Sequence, residues 1–232
     1  MISIIIPTYN EEENIAKTIN EIKKRDSAKN VSEIIVSDGQ SIDRTIEIAT
    51  SAGATAIVSR KKGRAAQMNY GASLAKGEIL YFLHADSIPP KNFTTYILNA
   101  FKNKVASGCF RLSFDYQHWF LKANCWFTRF DVNAVRFGDQ SLFVEKSVFN
   151  KCGGFKENLL MMEDQEIIHR IKKYGKFKVI NASVTTSARK YLDNGIYRMQ
   201  LIFFRIWFLY YLGYSQERLL TLHRKLIHKH KL

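Results

Sequence analysis

From Ile2 to Pro90 the chain alternates short runs of consecutive apolar residues with longer amphipathic stretches. Residues 2–6 form a β-branched run that stops at Pro7, and residues 33–37 form a second that stops at Asp38-Gly39. Unbroken runs of this kind, closed by turn formers, mark strands buried on both faces of a parallel sheet. Between them Ile15, Ile19 and Ile22 recur at helical spacing within residues 12–24. The same alternation predicts helices over 43–52 and 65–75 and strands over 56–58 and 79–83. Strands and helices in succession, joined by short loops, predict an α/β fold: a Rossmann-like, mostly parallel central sheet with helices on both faces.

Beyond Pro89-Pro90, which opens a helix running to about residue 102, the texture changes. Residues 109–114 alternate like a half-exposed strand, and a Trp/Phe-rich helix is predicted over 119–130. A short strand follows Gly138-Asp139-Gln140, a helix covers 161–174, and residues 178–187 contain a strand. The closing segment reads as two helices, 197–211 and 217–228, the first apolar apart from Arg198, Gln200 and Arg205. We divide the chain into a domain over 1–190, with a nucleotide-binding half (1–105) and an acceptor half (106–190), and an apolar, basic helical extension over 191–232. Internal repeats and low-complexity linkers are absent from the sequence.

An apolar content of 46% with 13% aromatics excludes intrinsic disorder. The longest uncharged apolar stretch, 206–215, is too short to span a bilayer. Residues 1–7 lack the basic start and long apolar core of a secretory signal, and Glu11, Glu12 and Glu13 follow at once, so the chain is expected to begin in the cytoplasm. Cys109, Cys125 and Cys152 are odd in number and widely spaced, which suits reduced, semi-buried side chains rather than a disulfide framework or zinc knuckle.

Charge sharpens the picture. Lys and Arg number 35 against 21 Asp and Glu, a net +14 that attracts polyanions. After residue 197 the basic residues Arg198, Arg205, Arg218, Arg224, Lys225, Lys229 and Lys231 face Glu217 alone. Apolar, aromatic and cationic character together suit a helix lying in a membrane interface, while near-uniform apolarity also suits burial in the core or a dimer contact. Nucleic acid is not an expected partner, because no DNA- or RNA-binding signature accompanies the charge.

Ligands of open α/β sheets bind beyond the carboxyl ends of the strands. Those ends are polar here: Pro7-Thr8-Tyr9-Asn10-Glu11, Ser37-Asp38-Gly39 and His84-Ala85-Asp86. Turn and cap chemistry accounts for any one of them; their shared edge points to a ligand. The chain contains neither Gly-x-Gly-x-x-Gly after the first strand nor a Gly-x-x-x-x-Gly-Lys-Ser/Thr loop, which argues against a dinucleotide dehydrogenase and a P-loop NTPase.

Three stretches, 3–11, 35–45 and Gly63-Arg64-Ala65-Ala66-Gln67-Met68-Asn69-Tyr70-Gly71, are followed by 80–86, Gly153-Gly154-Phe155 and Met162-Glu163-Asp164. In this order and spacing they resemble the family 2 glycosyltransferases of the GT-A fold, over roughly residues 1–190. The resemblance implies an inverting enzyme that moves a sugar from a nucleoside-diphosphate sugar, UDP- or GDP-linked, to an acceptor hydroxyl or phosphate. It places Pro7, Thr8, Tyr9, Glu11, Asp38 and Gly39 around the nucleoside, where a carboxylate accepts a hydrogen bond from the base's ring N–H. Arg64, with Lys61 and Lys62, meets the diphosphate through its planar fork, and Asn69 belongs to the same half. As a sequence, Lys61-Lys62-Gly63-Arg64 also reads as a solvated loop.

Asp86 matches the last acid of the family's metal motif, for Mn2+ or Mg2+ bridging the two phosphates. His84 stands where the first acid is expected, so it either joins a modified metal site or packs at the strand end. Asp164 matches the catalytic base that takes the acceptor's proton, with Glu163 in support; both also suit a helix N-terminus through its dipole. Asp139 and Gln140 fall on the acceptor side, and Arg189 is placed to reach the diphosphate or close a lid. Trp119, Trp126 and Phe127 read as core at helical spacing, with stacking on a sugar or lipid as the alternative. The acceptor class is a lipid or glycan, and the location expected is peripheral at the inner face of the cell membrane. A non-catalytic nucleotide-sugar- or membrane-binding protein on the same scaffold is the competing reading, with a nucleotidyltransferase third.

Overall fold

The structure, a computed structural model, describes residues 1–132 and 140–227. Eight strands form one sheet: β1 (Ile2–Thr8), β2 (Val31–Asp38), β3 (Thr55–Val58), β4 (Ile79–Phe82), β5 (Ser87–Ile88), β6 (Val105–Phe114), β7 (Leu142–Glu145) and β8 (Lys176–Thr186). Their spatial order is β3-β2-β1-β4-β7-β6-β8-β5. The first four pair in parallel; β4–β7, β7–β6 and β8–β5 are antiparallel, and β6–β8 is parallel again. The helices are α1 (Ile15–Arg25), α2 (Thr45–Ser51), α3 (Arg64–Leu74), α4 (Phe93–Lys102), α5 (Trp119–Phe127), α6 (Lys146–Lys151), α7 (Glu163–Ile171), α8 (Arg189–Asn194), α9 (Ile196–Tyr211) and α10 (Gln216–Leu226).

Every residue of β1 is buried, as a central parallel strand requires. Successive side chains divide between two cores because the strand period is two. Ile4, Tyr81 and Phe143 enter the core on one face with Ile19, Phe93 and Phe110, while Ile5, Phe82 and Val144 enter the other with Met68, Phe155 and Ile168. Pro7 is tolerated because β4 pairs with β1 only as far as Ile5, which leaves Pro7 with the single neighbour Ser37. In α1 the buried set Ile15, Thr18, Ile19 and Ile22 forms one stripe, and Lys23, Lys24 and Arg25 complement the dipole at its carboxyl end.

Two expectations are revised. The strand expected over 109–114 begins earlier, at Val105; buried and half-exposed residues alternate over 110–114, whereas 107–110 are buried without a break. Trp119, Trp126 and Phe127, expected in the core, are instead 67%, 48% and 48% exposed, and of α5 Leu121 is the buried residue. The closing helices do two things at once: Met199, Ile202 and Ile206 join the main core, while Leu201, Phe204 and Phe208 on the other side of α9 are exposed. No helix among the described residues is long and apolar enough to cross a membrane.

Candidate active site

The carboxyl ends of β1, β2 and β4 open on one edge, and the loops leaving them are sewn together. Asp38 is fully buried and its carboxylate accepts from Thr8 Oγ1 (3.0 Å), Ser41 N (2.7 Å) and Ser41 Oγ (2.5 Å). Gly39 N donates to Thr8 O at 2.8 Å. The fit is close: a Cβ on Gly39 would stand 2.5 Å from Gln67 Nε2, which donates to Thr8 O and Ser37 O. Ser41 and Gln67 lie inside the stretches singled out from the sequence, yet only their contacts reveal that they set this loop. Asn10, at φ 51°, accepts from Ile42 N, and Glu11 N donates to Thr45 Oγ1. Tyr9 and Glu11 are half-buried at the same edge.

The chain brings three distant segments to this edge. Arg64, the first residue of α3, follows Gly63 at φ 112° and points its guanidinium at the start of α7. Arg64 Nε stands 3.2 Å from Glu163 Oε1 and Arg64 Nη1 3.7 Å from Asp164 Oδ2. Glu163 is 2% exposed, and its Oε1 faces the arginine as an ion pair without an aligned hydrogen bond. Met162, just before them, holds a left-handed conformation (φ 68°), unusual for a residue with a side chain. Glu163, Asp164 and Glu166 load the first turn of α7 with negative charge, which the helix dipole favours.

The second segment is the strand end at His84-Ala85-Asp86. Thr18 Oγ1 donates to Ala85 O, and Ser187 N donates to Asp86 O, so α1 and the chain beyond β8 fix the turn's backbone. The Asp86 carboxylate itself is half-buried and engages no hydrogen bond or ion pair among the described residues. The third segment is the start of α8, where Arg189 reaches Glu11 (Nη2–Oε1 3.7 Å) and Glu13 (Nη1–Oε2 3.7 Å) across the mouth of the β1–α1 loop.

Two expected site residues are occupied elsewhere. Asn69 pairs with the backbone of Phe155 in both directions, Nδ2 to O and N to Oδ1 at 2.8 Å each, and so pins the Gly153-Gly154 turn. Gln140 is 2% exposed, and its Nε2 donates to Phe110 O and Thr128 O, which binds β6 to the end of α5. Asp139 lies outside the described residues. The same turn is held from behind by Arg170, which donates to Cys152 O and Gly154 O while gripping Glu166. Burial pushes the Glu166 carboxyl up, but hydrogen bonds from Arg170 and Lys156 outweigh it and hold it below the usual range. Burial pushes the Cys125 thiol up to about 12, and all three cysteines are free thiols.

No cluster of three His, Cys, Asp or Glu side chains fit to hold a metal occurs among the described residues. A magnesium-like ion bound with a diphosphate needs only one or two protein carboxylates, the rest of its shell coming from phosphate and water. The uncommitted oxygens of Asp86, at the edge that Arg64 also faces, fit that requirement.

Known proteins resemble the chain in part of its sequence and in its fold. Glycosyltransferase AglE of Haloferax volcanii is 36% identical over 94 residues, 38% of this chain and 31% of that protein. A dolichol-phosphate mannosyltransferase of Pyrococcus furiosus is 32% identical over 107 residues, 44% of this chain and 30% of that one. The chain thus matches about a third of the length of these relatives. Among solved structures, mannosyltransferase PcManGT from Pyrobaculum calidifontis, in complex with GDP-Man and Mn2+, superposes with a TM-score of 0.69 at 17% identity. That match covers 87% of this chain and 61% of the other. Glucosyl-3-phosphoglycerate synthase from Mycobacterium tuberculosis, in complex with Mn2+, UDP and phosphoglyceric acid, gives 0.60 at 16% identity, over 79% and 70% of the two chains. The shared fold is GT-A. The family model described as Glycosyl transferase family 2 matches residues 3–156, from β1 through the pinned Gly153-Gly154 turn, and the chain belongs to that family.

Proposed function

We propose that this protein transfers a sugar from a UDP- or GDP-linked donor to an acceptor hydroxyl or phosphate, with inversion at the anomeric carbon. The observation that carries the reading is the meeting of Arg64 with Glu163 and Asp164 at the carboxyl edge of β1, β2 and β4. A cation suited to a diphosphate thereby stands beside a carboxylate suited to deprotonating an acceptor. A single displacement needs one such base, and Asp164, at 17% side-chain exposure, is the more accessible of the two acids.

Thr8, Tyr9, Asp38 and Gly39 shape the nucleoside end. Asp38 contributes chiefly by ordering the loop, since its carboxylate already accepts three internal bonds. Asp86 would hold a divalent cation, Mn2+ or Mg2+, with His84 beside it; such an ion would neutralise charge developing on the departing diphosphate. Mannosyltransferase PcManGT was solved with GDP-Man and Mn2+ and the mycobacterial synthase with UDP and Mn2+, which supports both donor class and ion. Arg189, paired with Glu11 and Glu13, closes the β1–α1 loop over the donor side.

The acceptor belongs to a lipid or glycan class presented at a membrane surface. The exposed apolar stripe of α9 supports this reading, as does the dolichol-phosphate mannosyltransferase among the relatives. The deciding experiment follows release of nucleoside diphosphate from UDP-, GDP- and dTDP-sugars with Mn2+ or Mg2+, with and without lipid extract. Release from one donor that depends on the metal and falls by about 10²-fold or more in Asp164→Asn supports the transferase. Tight donor binding with no turnover under any condition sinks it in favour of a binding protein.

A further inference from the structure

The segment between the Gly153-Gly154 turn and α7 has no regular structure and leads directly into Glu163 and Asp164. Its beginning is tied down by the Asn69–Phe155 pair and by Lys61 Nζ on Glu157 at 2.8 Å. Its end carries the left-handed Met162. Across its middle, Leu160 N (3.0 Å) and Met161 N (2.9 Å) both donate to Gln216 Oε1, from the first residue of α10. A second link runs the same way: Tyr211 Oη, at the end of α9, donates to Gln165 Oε1 at 3.3 Å. The turn joining α9 and α10 holds Gly213 at φ 83°, and Ser215 caps α10, so Gln216 is presented from a fixed helix start.

We propose that Gln216 is a positioning residue for the transfer step: its side-chain oxygen, by accepting both amides, sets the 160–162 backbone and through it the aim of Asp164. The inference rests on the reading of Asp164 as the base. It gives the C-terminal extension a part in the chemistry, beside its part in the core. A carboxylate displaced by about 1 Å from its working position loses up to 10²-fold in rate, so a two-bond anchor three residues before α7 has leverage on turnover.

The test contrasts two substitutions of similar length in the full chain. Gln216→Glu keeps an acceptor oxygen and suits the first turn of a helix. Gln216→Met keeps the length and removes the acceptor. Gln216→Met is expected to lower kcat about tenfold while the donor KM stays within about twofold, and to speed hydrogen exchange at the Leu160 and Met161 amides. Gln216→Glu is expected to restore both kcat and protection. Gln216→Ala serves in place of the methionine variant if that chain does not fold. Faster exchange with unchanged kcat overturns the inference, as does equal behaviour of the Glu and Met variants. Asp164→Asn, measured alongside, separates the failures: full turnover in that variant refutes the base reading, whereas the exchange rates of the Gln216 pair decide whether the anchor exists.

Discussion

Arg64 Nη1 lies 3.7 Å from Asp164 Oδ2, and the same guanidinium lies 3.2 Å from Glu163 Oε1. The arginine opens α3 and the acids open α7, so one ion-pair cluster ties the starts of these two helices together. Glu163 is the most enclosed member at 2% exposure, and stripping a buried carboxylate of its cation leaves an uncompensated charge. Arg64→Ala is therefore expected to cost about 2–3 kcal/mol of stability, below the range for a fully buried pair because the arginine is partly solvated. Glu163→Gln in the same chain should return about 1 kcal/mol or more of that loss. Denaturant unfolding of the two single variants and the double variant reads the coupling directly; strict additivity would show that the pair does not interact.

The two glycines before Phe155 differ in what surrounds them. Gly153 (φ 79°) and Gly154 (φ 66°) both lie in the left-handed region, but a Cβ on Gly153 would meet nothing within 4 Å, while one on Gly154 would stand 2.7 Å from Asn69 Oδ1. Gly153→Ala should cost about 1–2 kcal/mol from backbone conformation alone. Gly154→Ala should cost about 3 kcal/mol, because the added methyl also displaces the Asn69 amide from Phe155. Thermal unfolding of the two variants checks the ordering, and equal costs would mean that the Asn69 contact yields without strain.

The first half of the fold was legible because its strands are buried on both faces, which leaves runs such as Ile4-Ile5-Ile6 that no exposed element would carry. The second half was less so. β5 is two residues long and exists because Thr185 and Thr186 of β8 offer it partners, with Ser87 Oγ donating to Thr186 Oγ1 at 2.9 Å. The start of β6 is not legible in the sequence because Ala106 and Gly108 lack strand character; a Cβ on Gly108 would stand 2.2 Å from Lys178 O, so close strand packing selects the glycine. At the site, the acids and Arg64 could be named from ordered motifs, but no sequence pattern says that Asn69 would be spent on Phe155 or that a lone glutamine after Ser215 would reach back to Leu160.

Glu166 supplies a pH dependence with a definite sign. Its carboxyl is held below 4.5 because hydrogen bonds from Arg170 and Lys156 outweigh burial, so the folded state binds the proton less readily than the unfolded chain. The stability it contributes is fully present above about pH 4.5 and is lost as the pH falls through the lowered value. Wild type should exceed Glu166→Gln in melting temperature at pH 7, with the gap narrowing as the solution is acidified. Arg170 also holds Gly154 O, so the same variant should loosen the Gly153-Gly154 turn. A gap that is constant from pH 7 to 3.5 would assign the contribution to packing instead of charge.

Along α9 the side chains of Tyr197, Leu201, Phe204, Phe208 and Tyr211 recur at steps of four and three and are 51%, 68%, 55%, 56% and 56% exposed. Trp119 of α5 adjoins the stripe, its ring centroid 6.4 Å from that of Tyr197, and is 67% exposed. An apolar face of this extent, with Arg205 exposed on the same helix and Arg218 and Lys225 exposed on α10, has the composition of a segment lying in an anionic interface. The protein is therefore expected to sediment with vesicles containing phosphatidylglycerol, and to do so less as salt screens the basic residues. Replacing both Leu201 and Phe208 by Glu should weaken partitioning at least tenfold, since each apolar side chain withdrawn from water contributes about 1.5 kcal/mol or more. Because both side chains point away from the core, the melting temperature should barely move. Unchanged sedimentation of that variant would remove the stripe as the membrane contact, and a self-association that the same variant abolishes would assign it to a second copy of the chain.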